Sequence, residues 1–324
     1  MVVVGIECTA HTFGVGVVRN GKILANIRDM YKPVHGGIVP MESAAHHTAV
    51  AESMWTTALE TAEISDSDID AIALSNAPGL APCLLGGMEF AKKKARMLTV
   101  PLVPVNHCIA HLEIGQHEGA RDSVLLYASG ANTQIIAFAA GKYRVFGETL
   151  DMGVGNFIDS FARVANVPFP GGPVIEQKAN GGHYVDLPYS IKGMDVSFSG
   201  LYTKLVQLYT RGTPLADLAF SLQETVFAML IEAAERALAH TGKKELVLGG
   251  GVACNARLQE MARVMCAERG ARLFCPAKEF LVDNGAMIAF TGELMFRAGV
   301  RENADDVDIK PRERTDDVEV TWRN

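Results

Sequence analysis

The run Asn106-His107-Cys108-Ile109-Ala110-His111 carries two histidines at i and i+4. That spacing sets both imidazoles on one face of a helix, near enough to hold a single divalent transition metal. The same spacing also arises when one histidine is a core residue and the other lies at the surface, so the neighbourhood has to decide. The pair follows residues 101–105, PLVPV, which read as a strand. Ligands of open sheets gather at strand ends. A distant acid, Asp283, completes a possible ligand set. Asp283-Asn284-Gly285 also opens the helix AMIAFTGELMFRAG, so Asp283 could equally be its N-cap, and from residue type alone the cap is the expected role. His46 and His47 are adjacent and point about 100° apart on a helix, so they rank below His107 and His111. A metalloprotease would need H-E-x-x-H with the glutamate as base, and Cys108 stands in that place.

A second kind of chemistry is suggested by a repeated plan. Residues 2–28 read as a meander: VVVGIE, the small turn Cys8-Thr9-Ala10-His11-Thr12, FGVGVV, a turn at Asn20-Gly21, and KILANI. About 120 residues later, SVLLYAS leads through Gly130-Ala131-Asn132-Thr133 into QIIAFAA, a turn at Gly141-Lys142, and YRVFGETL. This is an internal duplication. A small-residue turn between strands fits an ordinary hairpin, but it can also approach a phosphate and offer it backbone N–H groups. Two such turns, one per lobe, suit a nucleotide. Further on, residues 245–248 read as a buried strand followed by Gly249-Gly250-Gly251 and a helix from about Ala256, a backbone-lined nucleotide arrangement that is not the dinucleotide fingerprint. Asp159 falls on the first turns of a helix after Met152-Gly153-Val154-Gly155-Asn156. Pro173 is placed to be the first residue of the helix holding Glu176.

The elements around these residues set the architecture. A chain of 324 residues exceeds a single core's usual limit of roughly 250 to 300, and a two-lobed α/β protein is expected: residues 1–120 as the first lobe, 121–298 as the second, with the tail 299–324 returning to the first. No apolar run reaches the roughly 20 residues a bilayer needs, and the N-terminus has no basic region before its apolar residues. Six scattered cysteines without a CxxC pair read as reduced thiols in a cytoplasmic compartment. A net charge of −7 argues against coating nucleic acid by bulk electrostatics. Lys92-Lys93-Lys94 with Arg96 forms a basic cluster that could be either a solvated helix face or a local RNA contact. The loop over residues 31–40 covers something at the surface, and VDIKP and VEVTW in the charged tail read as edge strands.

Taken together, GIECTAHTFGVGVV, PVHGGIVP, the histidines at 46 and 47, NHCIAH, LYASGANTQI, GNFIDSFAR, PFPGGP, SFSGL, LGGGVACN and DNGAMIA resemble the universal tRNA threonylcarbamoyladenosine transferase family, formerly described as O-sialoglycoprotein endopeptidases. Length and tail are similar to its archaeal and eukaryotic branch, the catalytic subunit of the KEOPS complex. The resemblance implies an actin-like, sugar-kinase-like fold of two duplicated lobes with a nucleotide cleft between them. It implies a metal, Fe2+ favoured and Zn2+ as the alternative, on His107, His111 and Asp283, with Tyr127 able to join. It implies an adenine nucleotide, threonylcarbamoyl-AMP, against Tyr127, Ala128, Ser129, Gly130, Ala131, Asp159, Gly172, Glu176 and Asn255. The implied partners are tRNA, KEOPS subunits including a small protein kinase, and an enzyme supplying threonylcarbamoyl-AMP, with no membrane. The reaction implied is transfer of threonylcarbamoyl to the exocyclic amine of the adenosine beside the anticodon in tRNAs reading ANN codons. An ATP-dependent scaffold of the actin and chaperone type, a metalloprotease and a small-molecule kinase are the competing classes.

Overall fold

The computed structural model describes residues 1–33 and 37–323, so the loop expected over 31–40 lies partly outside the described residues. In chain order the elements are β1 (Val2–Glu7), β2 (Thr12–Arg19), β3 (Lys22–Met30), α1 (Pro40–Thr61), β4 (Ala71–Ala77), α2 (Ala81–Leu98), β5 (Leu102–Asn106) and α3 (His107–Glu113). They continue with β6 (Val124–Ala128), β7 (Thr133–Ala139), β8 (Lys142–Glu148), α4 (Val154–Val164), α5 (Gly171–Lys178), β9 (Ile191–Lys192), β10 (Asp195–Val196), α6 (Ser199–Thr210) and α7 (Leu215–Thr241). The last are β11 (Glu245–Gly249), α8 (Ala256–Glu268), β12 (Arg272–Phe274), α9 (Lys278–Leu281) and α10 (Gly285–Arg297).

Two five-stranded sheets share one plan, ordered β3-β2-β1-β4-β5 and β12-β11-β6-β7-β8. In each, a meander is extended by two parallel strands: β1 pairs antiparallel with β2 and parallel with β4, and β6 pairs antiparallel with β7 and parallel with β11. The fold is therefore two duplicated α/β lobes. The turns that end the second strand of each meander repeat as well. Asn20-Gly21 has φ of 51° and 80°, and Ala140-Gly141 has 51° and 76°, the paired positive angles that match the twist of a two-residue hairpin.

The chain divides into two compact units. One holds Met1–His117, Ala140–Tyr143 and the chain from Asp283 on; the other holds Glu118–Ala139 and Arg144–Val282. The first is built on the apolar faces of β1, β2 and β4 with Trp55, Leu84 and Met88 from α1 and α2. The second packs α4, α6 and α7 on the sheet through Phe157, Phe161, Leu205 and Phe227. Helix α10 belongs to the first unit, so Asp283 and the two histidines lie in the same unit.

How α10 reaches the strands is fixed by glycine. A Cβ added at Gly5 would sit 2.2 Å from Ala289 N, one at Gly16 2.2 Å from Ala286 N, and one at Gly285 2.3 Å from Gly16 N. The helix backbone thus lies directly on β1 and β2, which brings its first residues, and Asp283 before them, to the strand ends. Gly16→Ala is expected to cost about 3 kcal/mol, the upper part of the range for overpacking a filled interior, because rigid backbone rather than a flexible side chain opposes the new methyl. Denaturant unfolding checks this.

Two expectations are corrected here, after the surroundings of the basic cluster. The basic cluster is an ion-paired helix face: Lys93 and Lys94 both reach Glu52 at 2.7 Å, Lys94 Nζ lies 5.0 Å from the Trp55 ring centre, and Arg96 bonds Asp305. The tail forms neither edge strand; after an isolated bridge between Leu102 and Glu302 it runs irregularly past a 3-10 turn at Thr315–Asp317. Alternating polar residues gave VDIKP and VEVTW a strand pattern, but among the described residues the tail makes only scattered backbone bonds to the sheet and its loops, at Leu102, Asn76 and Gly79, and no continuous ladder. Finally, α5 begins at Gly171 rather than Pro173.

Candidate metal centre and companion loop

Helix α3 begins where β5 ends. Asn106 makes the corner, its side-chain oxygen accepting from Cys108 N at 3.1 Å and Ile109 N at 3.4 Å, as an N-cap does. The next residue, His107, is 3% exposed, and His111 is fully buried one turn on. Their rings stand 4.8 Å apart at 82°. Asp283 Oδ1 lies 3.3 Å from His107 Nε2 and 3.5 Å from His111 Nε2. Ligand atoms of the three residues fall within 4.8 Å of one another, and among the described residues no other such group of three occurs.

Asp283 is not the helix cap that its position suggests. Asn284 is the N-cap, its side chain accepting from Met287 N at 2.9 Å. This leaves the Asp283 carboxylate to face the histidines.

Glu7, which residue patterns had not singled out, completes the arrangement. It is fully buried at the end of β1. Its Oε1 accepts from Thr9 N at 2.7 Å and Thr9 Oγ1 at 2.6 Å, and Oε2 lies 2.9 Å from His107 Nδ1. A carboxylate on Nδ1 holds a proton there and turns Nε2 toward Asp283, the nitrogen that would give up its own proton to ligate a metal. The available signal was a lone charge closing the apolar strand VVVGIE. Burial favours the neutral ring of His107, but the Glu7 and Asp283 carboxylates on either side outweigh it and push its pKa up to about 10. Burial holds His111 below the ordinary histidine value. Burial likewise pushes the Cys108 thiol up to about 12, helped by Asp283 and Glu7, so Cys108 supplies neither a thiolate nucleophile nor a protease-type base.

His46 and His47 diverge. His46 Nε2 meets Asp29 Oδ1 at 2.8 Å, whereas His47 is 1% exposed, its ring centre 5.6 Å from that of Phe13. Burial, reinforced by His46, lowers the His47 pKa to about 4. Between pH 6.5 and 4 the unfolded chain therefore binds a proton that the folded chain refuses. Stability falls as pH drops through this window, by up to about 3 kcal/mol from this residue. His47→Gln should flatten that limb in urea unfolding series at pH 7 and pH 4.5.

In the second unit, the turn after β6 is closed by Ser129, whose N and Oγ both donate to Asn132 O, at 2.9 and 3.0 Å. Tyr127 and Ala128 are buried below it. Glycines let backbone pack around this turn: a Cβ at Gly153 would lie 2.3 Å from Gly130 O, and one at Gly250, where φ is +90°, 2.3 Å from Ala128 O. The turn is also tied to α4 through Gly155 N to Ser129 O and Asn156 N to Gly130 O. The structure thus joins residues 127–131 to the loop before α4 and to the glycine run after β11. Asp159 Oδ1 accepts from Gly171 N at 2.7 Å, and Glu176 Oε1 accepts from Ala256 N at 2.8 Å. Asn255 caps α8 through Arg257 N and donates from Nδ2 to Gln223 Oε1 at 2.7 Å. A 3-10 turn, Gly251–Cys254, separates the glycines from α8, so its amides do not open straight onto the glycine run as the sequence suggested. Gly172 faces open space.

Comparison with known proteins identifies the family of the chain. The family model described as TsaD, tRNA N6-adenosine threonylcarbamoyltransferase, matches residues 22–290. A protein of Thermococcus kodakarensis named tRNA N6-adenosine threonylcarbamoyltransferase is 51% identical over 324 residues, covering 99% of this chain and all of that one. A Methanosarcina barkeri protein, named a probable bifunctional tRNA threonylcarbamoyladenosine biosynthesis protein, is 51% identical over 325 residues, and the match spans 59% of its length. Among solved structures, HypF of T. kodakarensis superposes with a TM-score of 0.65 at 16% identity, over 91% of this chain and 48% of HypF. Component A of the Acidaminococcus fermentans (R)-2-hydroxyglutaryl-CoA dehydratase gives 0.55 at 14% identity, over 89% and 96%. Those two likenesses concern the fold. With half its residues identical to relatives along their whole length, the chain belongs to the tRNA N6-adenosine threonylcarbamoyltransferase family.

Proposed function

We propose that this chain transfers a threonylcarbamoyl group from threonylcarbamoyl-AMP to the exocyclic amine of the adenosine beside the anticodon in tRNAs reading ANN codons. His107, His111 and Asp283 hold one divalent metal, Fe2+ in preference to Zn2+, for which imidazole and carboxylate ligands are equally suited. The observation that carries this reading is the convergence of those three side chains, with Glu7 behind His107, in a chain about half identical to named transferases. When bound, the metal supplies Lewis-acid polarisation of the acyl carbonyl. Glu7 keeps the His107 tautomer fit for ligation, and Asp283 contributes the anionic oxygen. Tyr127 is a further candidate for the ligand shell.

In the reaction the amine nitrogen bonds to the carbamoyl carbon and loses one proton. The bond from that carbon to the phosphate oxygen breaks, and AMP leaves with the electron pair. The turn from Tyr127 to Ala131 is suited to the phosphate, since Gly130 and Ala131 at its tip are exposed and carry no side chain larger than a methyl. Asp159, Glu176 and Asn255, which already accept from helix amides, are suited to hydroxyls of the nucleoside, with Gly172 leaving room beside them. As partners we propose tRNA, KEOPS subunits including a small protein kinase, and an enzyme that makes threonylcarbamoyl-AMP, all cytoplasmic. Among the described residues no helix is long and apolar enough to cross a membrane.

The test is incubation with threonylcarbamoyl-AMP and unmodified tRNA, with and without chelator, followed by nucleoside analysis. Modified adenosine formed only with metal supports the reading. Chelator-insensitive ATP hydrolysis without modification would instead fit an actin-like scaffold.

A further inference from the structure

Helix α3 spans only His107–Glu113, two turns that have no stability of their own in water. Its orientation, and with it the aim of both imidazoles, must come from its surroundings: all seven residues are buried, the helix packs against α10, and its ends are held as well. In the first unit both ends are held by the same irregular segment, the chain after α10. This segment first lies along β4 and β5: Glu302 and Leu102 exchange backbone hydrogen bonds at 2.9 Å, Lys310 N donates to Asn76 O at 2.9 Å, and Gly79 N donates to Pro311 O at 3.2 Å. It next reaches the helix start, where Asn106 Nδ2, on the capping side chain itself, donates to Glu313 Oε2 at 3.2 Å. After the buried Thr315 it arrives at the helix end. There Glu113, fully buried, lies 2.9 Å from Arg323 Nε and accepts from Tyr143 Oη at 2.6 Å, while Trp322 Nε1 donates to Tyr143 Oη at 3.1 Å.

We propose that the C-terminal segment is a clamp for the metal helix, with Glu313 and Arg323 as positioning residues that hold Asn106 and Glu113 and thereby fix the separation and angle of His107 and His111. The inference rests on the metal reading above and adds to it a role for residues some 200 positions away that touch neither metal nor substrate. A hydrogen bond from Asn106 to the segment at one end and a buried ion pair with Arg323 at the other leave so short a helix little freedom to rotate about its axis. An Arg–carboxylate contact in a buried setting is also among the more directional of side-chain contacts.

The experiment measures Co2+ affinity and the Co2+ absorption band in the full chain, with Arg323→Ala, Arg323→Lys, Glu313→Ala, Trp322→Phe and, as a control, His107→Ala. Arg323→Ala and Glu313→Ala are each expected to weaken Co2+ binding about tenfold, as loss of an outer partner of a ligand does, and to shift the band at saturation. Arg323→Lys should recover part of the loss, because the charge is restored without the fork. A purely structural role would lower the thermal midpoint and leave affinity and band of the folded fraction unchanged. That result in both alanine variants overturns the clamp. Should Arg323→Ala fail to fold, Glu313→Ala and Trp322→Phe decide, since both retain the Glu113–Arg323 pair, and wild-type affinity in both overturns the clamp equally. Equal Co2+ binding by wild type and His107→Ala would overturn the metal reading itself, a separate outcome from failure of the clamp.

Discussion

Replacing His107 and His111 together with alanine is expected to reduce transfer from preformed threonylcarbamoyl-AMP at least about a thousandfold, the scale of losing the charge stabilisation that a preorganised polar or metal site supplies. Both rings are buried in one short helix and meet the same oxygen of Asp283, so the double replacement leaves one carboxylate where three ligands stood. The measurement is modified adenosine per chain in single-turnover conditions, with circular dichroism showing that the fold is retained. Near-normal turnover would remove the metal from the account.

The second large effect is expected at Glu7, through its hydrogen bonds. In the native site one oxygen of Glu7 accepts twice from Thr9 and the other faces His107 Nδ1. Glutamine has nearly the same shape but only one accepting oxygen. If that oxygen stays with Thr9, the amide NH2 faces Nδ1 and drives the imidazole proton to Nε2, the nitrogen that should ligate. If it turns to His107, the NH2 opposes both Thr9 donors. Either way Glu7→Gln is expected to weaken metal binding by about 10- to 100-fold. A titration with Co2+ checks it. The same contacts give a pH dependence. With the His107 pKa raised to about 10 by its two carboxylate neighbours against the effect of burial, a proton competes with the metal throughout the neutral range. Affinity should therefore rise by up to about tenfold per pH unit between pH 6 and pH 9 and fall on acidification. In Glu7→Gln, where one of the two raising charges is gone, that slope should lessen.

Much of the fold could be read from the chain because its signals are local. Two meanders with matching turns announce the duplication, and Asn20, Gly21 and Gly141 adopt positive angles that their residue types favour, while Ala140 takes one that its type does not. The histidine pair was legible for the same reason: i,i+4 spacing after a strand is a pattern within six residues. The role of Asp283 could not be decided from residue type, since D-N-G before a helix permits either residue to cap, and only the bond from Met287 N to Asn284 shows which one does. Glu7 escaped notice because its role depends on a partner 100 positions away. The tail was misread as strand because alternation records a preference of side chains for two faces, whereas the segment's backbone is claimed by Asn76, Gly79 and Leu102. The lysine cluster shows the converse limit, since Glu52, whose one carboxylate pairs with two of its lysines, lies on another helix.

The account stands most directly on whether the metal and the transfer belong to the same three side chains. Protein stripped by chelator and reloaded in steps with Fe2+ would be assayed for bound metal and for single-turnover modification of tRNA on the same samples. The expected result is one ion per chain, transfer rising in proportion to occupancy, and neither occupancy nor transfer in the His107→Ala, His111→Ala double variant. Full transfer by the stripped protein, or stoichiometric metal in the double variant, would contradict it.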